Sequence, residues 1–319
     1  MHRKKHKKLR CLIILAAFTT GIHLLNRFII RLAALKNMPA SSNSEYYHSK
    51  FGKIHYTKQG TGTPLLLIHD TFPGSSGYEW NRIEKHLAKK HTVYTMDLSG
   101  YGCSDKPGIT YTNYLYVQLI INFIRQVIGQ KTNVLVSGGS CAFVIMASSQ
   151  EKKDFDKILL VNPPLPESLN RKCSIKDKLF EKTLLLPVFG TFFYHILVSR
   201  ETIRRFFSKK LYADPLHVDN DLINAHYEAA HLGGYYAKYP YASLISRKLN
   251  TNLALGIQNS QNDLFILHGS EAGKSSVISC RYQQLNPSII SYGIENARHY
   301  PQMENPQKFL QITEKLLKN

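Results

Sequence analysis

"NVLVSGGSCAFVIM", Asn133 to Met146, is the stretch on which the fold turns. A β-branched apolar run stops at Gly138, Gly139 and Ser140, and a second apolar run starts at Cys141. The first run reads as a buried strand and the second as a helix, with the glycines and the serine as the corner between them. In open parallel sheets, ligands bind at the carboxyl ends of strands, which is where Ser140 falls. A sharp strand–turn–helix corner leaves room only for small residues two before and two after its centre, here Gly138 and Ala142. On that spacing the Ser140 hydroxyl is lifted off the sheet, and Ser140 is the candidate nucleophile.

The same alternation extends in both directions from this corner. "KIHYTKQG", "TPLLLIHD" and "HTVYTMDLSG" read as strands before it, with "YEWNRIEKHLAKK" and "NYLYVQLIINFIRQVIG" as helices. "DKILLVNPP", "DLFILHG" and "PSIISYGI" read as strands after it, and "GKSSVISCRYQQL" and "NPQKFLQITEKLLK" as helices. Buried apolar strands alternating with amphipathic helices predict an α/β fold with a mostly parallel sheet covered on both faces. The alternation lapses over 165–250, which is aromatic-rich and helical in pattern and predicts an inserted helical cap. The core is then 51–164 together with 251–319.

The chain has 319 residues and a formal net charge of +19. Nine of its Lys/Arg, and no acid, lie in residues 1–36. The rest is still basic but lacks an arginine-rich cluster with interleaved aromatics, so no nucleic-acid partner is expected. "MHRKKHKKLR" leads into "CLIILAAFTTGIHLLNRFII", an apolar stretch about as long as a membrane-spanning helix needs. The best signal-peptide cleavage position, after Ala40, has bulky Met38 two places before it, so residues 1–36 read as an uncleaved anchor. The basic lead predicts a cytoplasmic N-terminus and an outward-facing body, although Arg27 would suit an interfacial helix better. Residues 37–50 read as a polar linker. Five scattered cysteines with no C-x-x-C pair suggest neither a zinc site nor a disulfide framework. Glu228 and His231 share a helical face, but a metal site needs further ligands that the local sequence does not supply. No cofactor is expected.

Four segments together carry a resemblance. Gly138-Gly139-Ser140-Cys141-Ala142 resembles the G-x-S-x-G elbow of the α/β-hydrolase superfamily, with alanine for the last glycine. "LLLIHDTFPGSS" is similar to its H-G-x loop, with Asp70 in place of glycine. "MDLSGYGCSDKP" resembles its D-x-x-G-x-G-x-S-x-x-P segment, and "ARHYPQMENPQKF" its terminal G-H-x-P-x-x-E-x-P-x-x-F signature, with Arg298 for glycine. The wording behind a short anchor is similar to predicted membrane-anchored bacterial hydrolases of this fold with a helical cap.

The resemblance implies a triad in the chain order Ser140, Glu271, His299, with His299 as base. Glu271 stands at the correct end of its strand, whereas Asp263 lies at the wrong end and Asn162 carries no charge. By position, the backbone N–H groups of Thr71 and Cys141 are the oxyanion donors. Cys141 itself is expected to pack into the helix rather than act as a thiol. The expected activity is ester hydrolysis of a lipid-like or other apolar small molecule through an acyl-enzyme. The alternatives are an amidase or peptidase acting at an N-terminal residue and an inert binding protein on the same fold. Dehalogenase and epoxide hydrolase chemistry is disfavoured, because those relatives carry an aspartate at the position assigned to Ser140.

Overall fold

The computed structural model describes residues 2–34, 43–273 and 275–318, with side chains from residue 6 onward. The Ala40 cleavage candidate and residues 37–42 of the expected linker lie outside the described residues. Helix α1 (His2–Ala33) leads the chain. Strands β1 (Ser44–Ser49), β2 (Gly52–Gln59) and β3 (Thr63–Ile68) follow, then the short helix α2 (Glu84–Leu87) and β4 (His91–Met96). Helix α3 (Asn113–Phe123) precedes β5 (Thr132–Ser137), and α4 (Cys141–Gln150) precedes β6 (Phe155–Val161). Five helices come next: α5 (Ile175–Leu185), α6 (Val188–Leu197), α7 (Arg200–Phe206), α8 (Asn220–His231) and α9 (Tyr239–Ile245). After α10 (Ala254–Gln258) the chain returns through β7 (Asp263–Gly269), α11 (Ser275–Leu285), β8 (Ile290–Ile294), α12 (Pro301–Glu304) and α13 (Pro306–Leu317).

The strands form one sheet in the order β1-β2-β4-β3-β5-β6-β7-β8. It is parallel from β4 to β8 and antiparallel at the β1 and β2 edge. The apolar runs explain this layout, since a parallel strand is buried on both faces. Along β3, Leu66 and Ile68 join the core beneath α3 and α4, while Leu65 and Leu67 face Trp80 and Phe309 on the other side. The α/β-hydrolase fold expected from the sequence is the fold observed.

Two local expectations differ. Residues 44–49 were expected in a linker but form edge strand β1, because Tyr47 packs edge-on against Phe123 and Ser44 hydrogen-bonds His55. The helix expected over 78–90 is only a turn at Gly77–Trp80 and α2, since Glu79 and Trp80 both turn inward. Among the described residues, no strand occurs between β6 and β7. That helical insertion lies on the loop after β8: Ile203, Phe207 and Tyr212 pack with Tyr300 and Met303. The second half of α1 docks on the insertion as well, where Asn26 Nδ2 donates to the Val188 carbonyl and His23 stacks on Tyr235.

Candidate active site

The bend after β5 falls two residues earlier than the sequence pattern suggested. Gly138 has φ +53, the left-handed conformation that a strand-to-helix elbow imposes on its central residue, whereas Ser140 is already right-handed at φ −67. The centre of the corner is therefore Gly138, with Ser137 and Gly139 beside it. Ser140 is fully buried, and its hydroxyl donates to the His69 carbonyl at 2.6 Å. His299 makes its side-chain hydrogen bond with Asp70, and among the described residues no hydrogen bond joins His299 to Ser140, the nucleophile expected from the sequence.

The space above the bend belongs to Asp70. A Cβ built on Gly138 would fall on the Asp70 carboxyl group, so this side chain fills the volume that a nucleophile at the bend would need. Asp70 Oδ2 is 2.8 Å from His299 Nε2. Its Oδ1 accepts from the backbone N–H of Thr71 at 2.6 Å and of Gly139 at 2.8 Å. The N–H of Thr71, one of the two donors expected, thus faces the Asp70 carboxylate. The second N–H there is that of Gly139, while that of Cys141, the other donor expected, closes the turn onto Gly138 and Gly139. This follows from the shifted bend, because the second donor is the residue after the bend centre. The Cys141 thiol faces the Val136 carbonyl inside the core, away from the site. Ala142 is buried in α4.

The electrostatics divide two neighbouring carboxyl groups. Burial alone would raise the Asp70 pKa, but the hydrogen bond and charge of His299, with the Thr71 and Gly139 N–H groups, outweigh it and hold the carboxyl below its ordinary value. Glu79 is buried beside it, accepting from the Asp70 N–H and from the Gln302 amide. Burial, then the Asp70 charge, push Glu79 up to about 8. Asp70 is therefore the anion at neutral pH and Glu79 the neutral acid.

The loop that presents His299 is fixed at several points. Asn162, at positive φ where β6 ends, donates from its amide to the Arg298 and His299 carbonyls. The His299 N–H donates to Leu211 of the insertion, and Glu304 accepts from the Arg298 and Tyr300 N–H groups. Among the described residues, His299 Nδ1 has no hydrogen-bond partner. Glu271, expected behind it, is exposed, and its backbone N–H donates to the Ala297 carbonyl. The triad acid expected at Glu271 is thus not joined to His299.

An apolar cavity of about 310 Å³ lies between Phe72–Pro73 and the insertion, walled by Leu197, Ile203, Phe207 and Leu244. Phe72 belongs to the cavity wall and also packs on His299, ring centroids 5.6 Å apart. Asp70 is the site residue that the sequence pattern did not assign. Its signal was the pairing of two departures: an acid where the H-G loop has glycine, and glycine where the elbow has a nucleophile.

Comparison with known proteins agrees with this architecture. The family model described as alpha/beta hydrolase fold matches residues 64–306. The soluble epoxide hydrolase of Corynebacterium sp. (strain C12) is 44% identical over 55 residues, 17% of this chain and 18% of that protein. The 2-hydroxy-6-oxo-6-(2'-aminophenyl)hexa-2,4-dienoic acid hydrolase of Metapseudomonas resinovorans is 34% identical over 74 residues, 23% of this chain and 26% of that protein. These matches span about a quarter or less of the curated relatives' own length. A solved serine hydrolase involved in carbazole degradation superposes with a TM-score of 0.67 at 18% identity, covering 86% of this chain and 98% of its own. At that identity the superposition establishes shared fold alone.

Proposed function

The chain belongs to the α/β-hydrolase fold family, and from that premise we propose a membrane-tethered hydrolase of apolar small molecules in which Asp70 is the nucleophile and His299 the base. One observation carries this reading: the Asp70 carboxylate occupies the nucleophile's volume, with one oxygen on the paired N–H donors and the other on the histidine. A carboxylate attacks a saturated carbon bearing a leaving group, such as an epoxide carbon or an alkyl halide. The new C–O bond forms an alkyl ester of Asp70 and the old bonding pair goes to the leaving atom: a halide departs as the anion, whereas an epoxide oxygen stays attached as an alkoxide and takes a proton from water. Water, deprotonated by His299, then adds to the ester carbonyl. The oxyanion so formed faces the Thr71 and Gly139 N–H groups, which are already aimed at that oxygen. Collapse expels the alcohol, which takes the proton back from His299.

The apolar cavity suits such a substrate, and Phe72 in its wall packs on His299, the partner of Asp70. The likeness to an epoxide hydrolase points the same way. The membrane tether is supported by α1, whose stretch His6–Ala33 holds an 18-residue apolar window of mean hydropathy 1.7 after a basic lead. The missing partner at His299 Nδ1 favours a second reading, an inert binding protein, because no acid orients the imidazole.

Turnover of aliphatic epoxides in heavy-oxygen water, followed by mass spectrometry of the Asp70 peptide, tests the proposal. Label entering Asp70, and no reaction in Asp70→Asn, is the expected result. Labelling of Ser140 by a fluorophosphonate would restore the serine esterase, and silence toward both probes would favour the binding protein.

A further inference from the structure

We infer that helix α6 lies against the acyl chains of the bilayer, beside the anchor, so that the wall of the apolar cavity borders the lipid phase. This rests on the reading of α1 as a membrane-spanning helix and is independent of the Asp70 chemistry.

The docking of α1 carries the argument. Its first contact with the insertion is at Phe18, whose ring sits 6.3 Å from Phe189 of α6. Contacts then recur on one helical stripe: His23 on Tyr235, Asn26 on the Val188 carbonyl, Ile30 near Gly234, and buried Ala33. This stripe explains two of the three strongly polar residues inside the apolar stretch, since His23 and Asn26 are turned toward protein, whereas Arg27 is exposed. From Phe18 to Ile30 the helix rises ~18 Å, more than half of a hydrocarbon core of about 30 Å. A bilayer that covers Cys11–Ile30 must therefore make room for α6 at the same depth.

The surface of α6 fits that position. Leu186 just before it, and Phe189 and Ile196 on it, are 49%, 41% and 51% exposed and recur at helical spacing. Leu24, Leu25 and Phe28 of α1, the helix docked beside it, are exposed as well. Exposed large side chains in one contiguous band mark an interaction surface. The next segment supplies cations for the boundary: Lys209 and Lys210 follow α7, while Arg200 stacks on Tyr227, Arg204 donates to Asn220 and Arg205 pairs with Glu201. Leu197 and Val198, at the end of α6, line the apolar cavity. The helix that touches acyl chains at one end thus forms the cavity wall at the other.

The test uses the full chain in phosphatidylcholine vesicles whose acyl chains carry bromine, which quenches tryptophan on contact. Three single variants are compared after subtracting the wild-type signal of buried Trp80: Leu15→Trp in the anchor, Phe189→Trp on α6, and Tyr114→Trp at an exposed position of α3. Quenching at positions 15 and 189 but not at 114 is the expected result, and Ile196→Trp repeats the measurement on the same face. Quenching at 15 without quenching at 189 and 196 would overturn the inference and leave the anchor standing. No quenching at 15 would remove both.

Discussion

Two histidine–aspartate pairs of nearly equal geometry, each on a buried aspartate, stand on this sheet, and they serve different ends. His55 Nδ1 is 2.9 Å from Asp97, and His299 Nε2 is 2.8 Å from Asp70. Each aspartate also accepts two backbone N–H groups, Gly77 and Cys103 at Asp97, Thr71 and Gly139 at Asp70. The difference lies in what each histidine has left over. The second nitrogen of His55 is taken by Ser44, and its side chain is 5% exposed. His299 is 24% exposed and bordered by the ring that walls the cavity. One pair is saturated and holds two loops together, whereas the other keeps a nitrogen and an exposed edge unspent. Cys103 also lies near the first pair, but saturation of Asp97 by N–H donors makes that cluster a loop clasp rather than a ligand set.

Substitutions can break this contrast. Asp70→Ala removes the nucleophile, and turnover should fall on the order of 10⁴-fold, read as kcat on the best epoxide found. Were activity to survive, the open pair would be as structural as the closed one. Asp97→Ala strands His55 and two N–H groups, and urea unfolding should show a loss of about 3–5 kcal/mol. Asp70→Asn keeps the volume, and its stability loss should be clearly smaller in the same assay.

The neighbouring Glu79 gives a pH signature. Its pKa is raised from 4.5 to about 8 on folding. The folded state therefore holds the proton more tightly, so this group's stabilisation is full below pH 4.5 and disappears as pH rises through 8. Wild type should lose a few kcal/mol of unfolding free energy across that window from this residue, and Glu79→Gln should flatten the slope. The smallest effect belongs to Ser140→Ala. It deletes one hydrogen bond to His69, costing about 1 kcal/mol, and should leave turnover unchanged. Loss of activity in that variant would return the nucleophile to the serine.

The architecture was legible because parallel strands buried on both faces announce themselves as unbroken apolar runs, as at Leu65–Ile68 and Val134–Val136. The site was legible only in part. His299 follows a strand in a recognisable signature, and the loop of Thr71 is equally marked. The corner was misplaced because the bend is made by glycine, which offers no side chain to identify it, while Ser140 fitted the G-x-S-x-A spacing. Asp70 was visible as an anomaly, but that its carboxylate reaches over Gly138 depends on packing between β3 and β5, which linear spacing does not encode. Edge strand β1 was missed for a related reason: its residues are polar, and pairing with β2 specifies it.

The overlap of Asp70 with the missing Cβ of Gly138 ties the fates of the two positions together. A side chain entering at 138 would have to take up the left-handed backbone there and displace the carboxyl group at 70, so a substitution at either position changes what the other can hold.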